Sequence, residues 1–284
     1  MTSVKEIKNR ITSPQRTQKI TSAMKMVASA KLHQGQRLIE NALPYQRKME
    51  EMLAHVQLGA NDFDSPFSEV RDVKKVAMVI FSSNTGLCGT FNANVIKQAN
   101  ELIAEYKGME ILIYPVGKKI AKALAREGYP LQEMSDEWEH EVSPSTTNQL
   151  ALQLMDLFLE RNVDKVVLLY HRYHGKSTQL LTSETFLPFH PEADDRWAIQ
   201  NANFIFEPGC EELLTSLYPR YLKYKLYAVY LSHNVSEHSA RMIAMQTATD
   251  NADSLLTDLN VYYNKTRQQS ITNELLDIMG GSGR

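Results

Sequence analysis

Between Val4 and Leu58 the apolar positions recur at helical spacing: Ile7, Ile11, then Ile20, Met24 and Val27, later Leu38, Ala42, Tyr45, Met49, Met52 and Val56. Pro14 interrupts the pattern, and proline is at ease only in a helix's first turn, so a kink or restart is expected there, with Thr12 or Ser13 as cap. "GANDFDSPFSE" then reads as a loop from its Gly, Asn, Asp, Ser and Pro content.

Beyond the loop the period changes. "KKVAMVIFS" is a continuous apolar run of buried-strand type, and "FNANVIKQANELIAEYKG" follows it as helix. "EILIYPVG" and "DKVVLLYHRY" are further strands, with "KKIAKALAREG" and "STTNQLALQLMDLFLERN" as helices between them. Strands alternating with helices predict a parallel, doubly wound, Rossmann-like α/β sheet, to which "QLLTSETFLPF" adds an antiparallel edge strand.

From about Glu211 to Met279 the chain is helical again, with no proline after Pro219 and no glycine before Gly280. Leu217, Tyr221, Val229, Ala240, Ile243, Leu255, Leu259, Tyr262, Leu275 and Ile278 mark its stripe, while Ser239, Ala244, Thr247, Ala248 and Ala252 keep its middle small and polar. Some sixty helical residues at ~1.5 Å rise span roughly 90 Å. A compact globule of this length would be only about 50 Å across. The helix must therefore project, and the N-terminal helix, roughly 70–80 Å long, is the element able to pair with it. The expected organisation is an antiparallel two-helix coiled coil from residues 1–58 and 209–284, with an α/β domain, 74–208, inserted between its arms.

Charge refines this picture at one end. Net charge is −2 over 284 residues, which argues against a generic nucleic-acid binder. Yet Lys5, Lys8, Arg10, Arg16, Lys19, Lys25, Lys31 and Arg37 face Glu6 alone in the first 37 residues. A basic arm of that kind wants an acidic partner. Cys88 and Cys210 lie far apart, as reduced thiols of a cytosolic protein would. No apolar run approaches a membrane span, and no signal core or transit peptide is read at the N-terminus.

Candidate catalytic motifs fail on context. "HRYHGKST" ends like a phosphate-binding loop, but Tyr170 stands where its first glycine belongs, and strand rather than helix is expected after it. In "NTGLCGTFN", Gly86 and Gly89 keep only the last spacing of a dinucleotide fingerprint, so a tight strand-to-helix turn is the better reading. Cys88 has no paired histidine in sequence. His171 and His174, three apart on a strand, face opposite sides and would not converge on a metal. "SDEWEHE" reads as a solvated acidic loop. No catalytic, cofactor or metal site is predicted.

The terminal arms are more specific. "QKITSAMKMVASAKL", "GLCGTFN", "SEHSARMIAMQTATDNADSLL" and "YNKTRQQSITNELLDI" together resemble the gamma subunit family of the rotary ATP synthase, bacterial type. A self-sufficient coil would carry large apolar residues along a clean heptad seam. These arms instead mix alanine, methionine and uncharged polar groups, as a shaft turning inside a ring would need. The resemblance implies a central rotor stalk with no active site or cofactor of its own. Its implied partners are the ring of alpha and beta subunits, the epsilon subunit and the membrane c-ring. Its implied place is the cytoplasmic face of a bacterial inner membrane, as a peripheral subunit.

By the same resemblance, Arg267, Gln268 and Thr272 match positions that hydrogen-bond a beta-subunit loop. Met24 and Lys25 match positions facing acidic beta-subunit loops. Leu275, Leu276, Ile278 and Met279 would enter an apolar bearing, and Phe204 and Glu207 match the foot near the membrane ring. The family's usual Asp-Arg pair is missing before "GLCG", Thr90 stands where glycine is common, and Pro14 is unusual. Two rival readings are a DNA-binding coil, which predicts salt-dependent duplex affinity, and a nucleotide enzyme, which predicts retention of ATP or NAD.

Overall fold

The computed structural model describes residues 4–59, 65–139, 143–175, 179–191 and 205–281. Two long helices frame the chain: α1, Val4–Gly59, and α5, Cys210–Gly281. Between them lie β1 (Lys75–Phe81), α2 (Phe91–Glu105), β2 (Glu110–Val116), α3 (Lys118–Arg126), α4 (Pro144–Leu159), β3 (Lys165–Tyr173) and β4 (Gln179–Leu187). The strand and helix order is the one expected from the alternating periods. The chain divides into two compact units, Met1–Ala30 with Arg241–Arg284, and Lys31–Ala240.

In the larger unit the sheet order is β2-β1-β3-β4, with β1 parallel to β2 and β3, and β4 antiparallel at the edge. β1 is buried on both faces, which is why its sequence is an unbroken apolar run rather than an alternation. Val76, Met78 and Ile80 pack under α2 and α3 with Val95, Leu102, Ile120 and Leu124. Ala77, Val79 and Phe81 face the opposite layer, where α4 meets Met49, Leu53 and Val56 of α1 and Leu214, Tyr218, Leu222 and Leu226 of α5. α1 and α5 are antiparallel here: Tyr45 meets Tyr224 edge-on at 4.5 Å, and the Tyr221 hydroxyl donates to Glu50 at 3.0 Å.

In the smaller unit the ends of the same two helices run antiparallel. Thr21 and Thr249 hydroxyls meet at 2.8 Å, Gln18 Nε2 donates to Asp253 Oδ1 at 2.6 Å, and Lys25 Nζ donates to Gln246 Oε1 at 2.8 Å.

The covered face of α1 differs from the expected one. Ile7, Ile11, Pro14, Gln18, Thr21, Lys25 and Ala28 alternate four and three apart, and all are buried or half-buried. Leu32, Gly35, Ile39, Ala42, Gln46, Met49, Leu53 and Val56 continue that alternation in the larger unit. This is a regular heptad seam in which large apolar residues such as Ile7, Leu32, Ile39 and Leu53 share the line with small and polar ones, Gln18, Thr21, Lys25, Ala28 and Gly35. Ile20 and Val27, expected on the inner stripe, lie outside it at 60% exposure each. Leu38, Tyr45 and Met52 of α1, and Ile243, Leu255, Tyr262 and Leu275 of α5, are likewise exposed. The physical reason is that neighbouring helix contacts, not apolar content, define the seam. A threonine pair or a Lys–Gln bond covers it as well as a leucine does.

Pro14 does not restart the helix. α1 runs through both Pro14 and Pro44. Thr12 is no cap: its hydroxyl bonds back to the Asn9 carbonyl at 2.7 Å. In the acidic run Asp136 and Glu137 are exposed as expected, while a short 3₁₀ turn, Asp136–Glu139, buries Trp138 between them and the body, and Glu137 accepts from the Thr146 hydroxyl at 2.5 Å; residues 140 and 141 lie outside the described residues.

Candidate interaction surfaces and a filled crevice

Open α/β sheets bind ligands beyond the carboxyl ends of their strands, where the strand order reverses. Here that place is the loop after β1, residues 82–90, between β2 and β3. Leu87 and Gly89 both take positive φ, 64° and 63°, which folds the loop into the tight strand-to-helix turn expected of "GLCG". The loop turns its polar groups inward upon α3. Lys118 N–H donates to Asn84 Oδ1 at 3.0 Å, Lys119 N–H to the Ser83 carbonyl at 3.2 Å, and Ile120 N–H to Ser82 Oγ at 3.0 Å. The first-turn amides of α3 that an anion could use are therefore occupied by the protein itself.

Asn92 closes the other side, accepting from Ser83 N–H at 3.1 Å and donating to Cys88 Sγ at 3.0 Å. Cys88 is buried beside Phe91 and Ala240. Strand β4 begins at Gln179, close behind Gly175, so the phosphate-loop reading of "HGKST" lacks its helix; residues 176–178 lie outside the described residues. His171 is buried within β3, whereas His174 lies just beyond the end of that strand and is exposed. Among the described residues no group of three or more His, Cys, Asp or Glu side chains could hold a metal ion.

His171 and His233 form a buried, strongly perturbed pair. Phe91 stacks on His171 with ring centroids 3.9 Å apart, and Phe81 lies 5.6 Å from His233. Burial pulls His171 down to about 4. Burial, then the neighbouring His171, pulls His233 down to about 3. Both rings are therefore neutral when folded, whereas in the unfolded chain they take protons near the ordinary histidine value, about 6.5. The unfolded state binds more protons between about pH 6.5 and pH 4. Stability contributed by this pair is present above pH 6.5 and is lost as pH falls toward 4. From pH 7 to pH 5 each histidine is expected to cost on the order of 2 kcal/mol. Urea melts of the isolated chain at both pH values should show a smaller loss in His233→Asn. Equal losses in the two proteins would contradict this origin.

The residues singled out on the arms fall into distinct settings. Lys25 is a seam residue, with its ammonium committed to Gln246, and Met24 beside it is half-buried. Arg267 and Gln268 are exposed, and the Thr272 hydroxyl donates to the Gln268 carbonyl at 2.9 Å, leaving its lone pairs outward. Leu275, Leu276 and Met279 are exposed at 57%, 60% and 73%. Ile278 lies on helix α5, but its side chain is outside the described residues. Glu207 is exposed ahead of α5, and Phe204 lies outside the described residues. Ile20, Met26, Val27 and Val261 add exposed apolar surface to the smaller unit. Sequence periodicity assigned Ile20 and Val27 inward and did not single out Met26. Their outward placement follows from which neighbours the other helix takes up. Among the described residues no helix is long and apolar enough to cross a membrane.

A family model described as ATP synthase matches residues 3–283. The chain is 47% identical over 293 residues to the ATP synthase gamma chain of Phocaeicola vulgatus, covering 99% of each chain. It is 48% identical over 289 residues to that of Bacteroides fragilis, again covering 99% of each. Among solved structures, a chain of the Euglena gracilis mitochondrial ATP synthase superposes with a TM-score of 0.65 at 20% identity, over 98% of this chain and 93% of that one. A chain of the Tetrahymena thermophila enzyme's central stalk and c-ring gives 0.57 at 22% identity, over 81% and 99%.

Proposed function

Because the chain belongs to the ATP synthase gamma-chain family, we propose that it is the rotor shaft of the catalytic sector, coupling ion flow through a membrane ring to ATP synthesis or hydrolysis in a ring of alpha and beta subunits. The observation that carries this reading is likeness to gamma chains along essentially the whole sequence. Residues 1–58 and 209–284 are the shaft, and 74–208 the α/β body inserted between its arms. The chain is a non-catalytic, peripheral subunit on the cytoplasmic face of a bacterial inner membrane. It holds no nucleotide of its own, a reading the occupied α3 amides support.

A shaft lacking rotational symmetry presents a different face to each catalytic subunit, and each state of a site favours the face it binds best. Turning the shaft shifts those populations. The coupling is reciprocal in free energy, so ion flow can drive synthesis and hydrolysis can drive ion flow. A surface that must pass many orientations is served by weak contacts. The exposed methionines and aliphatics of the smaller unit suit that, since methionine adapts its shape and apolar attraction has no preferred direction.

Arg267, Gln268 and Thr272 supply directional contacts to a beta-subunit loop at one angle, arginine offering a fork of donors to carboxylates. Leu275, Leu276, Ile278 and Met279 run in the apolar bearing, Met24 and Lys25 face acidic loops, Lys25 with the ammonium donors it does not give to Gln246, and Phe204 with Glu207 lies toward the membrane ring. Epsilon binds near that foot. Arg267→Ala is expected to lower coupled ATP synthesis in reconstituted vesicles by about tenfold, the loss of roughly 1.4 kcal/mol of contact, while the isolated chain keeps its melting temperature. Undiminished synthesis would remove Arg267 from this role. Failure of alpha and beta subunits to co-purify with the wild-type chain would remove the rotor reading itself.

A further inference from the structure

Strand β3 outruns one of its neighbours. Its parallel pairing with β1 stops at Ile80↔Leu169, whereas its pairing with β4 continues to Tyr173↔Gln179. The last backbone groups on its β1 side have no strand to meet, and a buried polar group left unpaired is costly. Helix α5 takes the place of the missing strand. His171 N–H donates to His233 Nδ1 at 3.4 Å, the His171 carbonyl accepts from Ser236 Oγ at 3.3 Å, and Tyr173 N–H donates to Ser232 Oγ at 2.8 Å. Ser232, His233 and Ser236 are all buried, on one face of the helix.

The same strand end is held by α1. Gln36 Nε2 donates to the Tyr173 hydroxyl at 2.5 Å. Beside it, Gly35 leaves no room for a side chain, since a Cβ there would stand 2.5 Å from Val235 Cγ2. Both long helices and the sheet thus converge on two residues, His171 and Tyr173, within the larger unit.

We infer that this joint fixes the angular position of the shaft helices on the α/β body, making Ser232, His233 and Ser236 positioning residues for rotary coupling. The inference rests on the rotor reading above. Elsewhere α5 meets the body through apolar side chains and through Lys225, whose ammonium lies 3.8 Å from Glu184 of β4. Such apolar packing opposes any turn that would expose Leu214, Tyr218 or Leu222, but being non-directional it tolerates small angular adjustments that keep the same area buried. Three hydrogen bonds to successive groups of one strand are directional. A rotation of α5 by one residue, about 100°, misaligns all of them at once. A shaft that turned within its own body would dissipate torque before it reached the catalytic ring.

The test uses the assembled complex in inverted vesicles, with ATP hydrolysis and ATP-driven ion pumping followed together and thermal melting recorded on each complex. Ser232→Ala/Ser236→Ala and His233→Ala are expected to lower ions pumped per ATP by about two-fold or more with hydrolysis retained. His233→Asn, which keeps an acceptor close to the place of Nδ1, should restore the ratio. An unchanged ratio in both loss variants would overturn the inference, as would a ratio that only follows melting temperature and is not restored by asparagine. A wild-type complex that pumps no ions would instead overturn the rotor reading, and the joint's role with it.

Discussion

Gly117→Ala should unfold the α/β body at markedly lower denaturant, with a loss of about 3 kcal/mol or more. Gly117 joins β2 to α3 at a φ of +104°, a region L side chains rarely enter. A Cβ there would lie 2.3 Å from the Ser82 carbonyl oxygen and 2.8 Å from its carbon. Both are backbone atoms at the end of β1, and Ser82 N–H is itself bound to the Val116 carbonyl at 2.7 Å. Relief would have to come from moving a strand end that also orders the 82–90 loop. Gly128→Ala supplies the control: φ is +85°, but nothing lies within 4 Å of the added methyl. It should cost only about 1–2 kcal/mol. Equal urea midpoints for the two variants would mean that the Ser82 contact does not constrain the fold.

Gly35→Leu is expected to cost about 3 kcal/mol, and Val235→Ala in the same chain to recover at least about 1 kcal/mol of it. Glycine in mid-helix forfeits roughly 1 kcal/mol of helix propensity, so its presence at a seam position needs a packing cause. Val235 provides one: its Cγ2 occupies the space a Cβ would need. Overpacking of this sort typically costs 1–3 kcal/mol. Truncating the neighbour should reverse part of the loss, which a double-mutant cycle reads as coupling between the two sites. Strictly additive losses in urea melts of the isolated chain would place the strain elsewhere.

Both glycines show where sequence reading stops. "HQGQ" carries a glycine within a helical run, which calls for a packing reason, yet nothing local says which side chain fills the space. "LSHNVSEHS" places Ser232, His233 and Ser236 in another helix, where nothing in its apolar stripe singles them out. Their partners are backbone groups some sixty residues away. The same limit explains the displaced seam. Ile20 and Val27 look like core by composition, but Thr21, Lys25 and Ala28 hold the inner positions because Thr249 and Gln246 stand opposite.

By itself the sequence determined the elements and their order, because helix and strand periods, turn residues and unbroken apolar runs are local properties of the chain. It also determined membership of the family, through long motifs at both ends. Only the tertiary structure decided which face of each long helix is inside, that the crevice beyond β1 is filled by its own loop, and that α5 completes the edge of β3. Each of these depends on groups distant in sequence meeting within hydrogen-bond or van der Waals range, and no periodicity along one segment encodes that meeting.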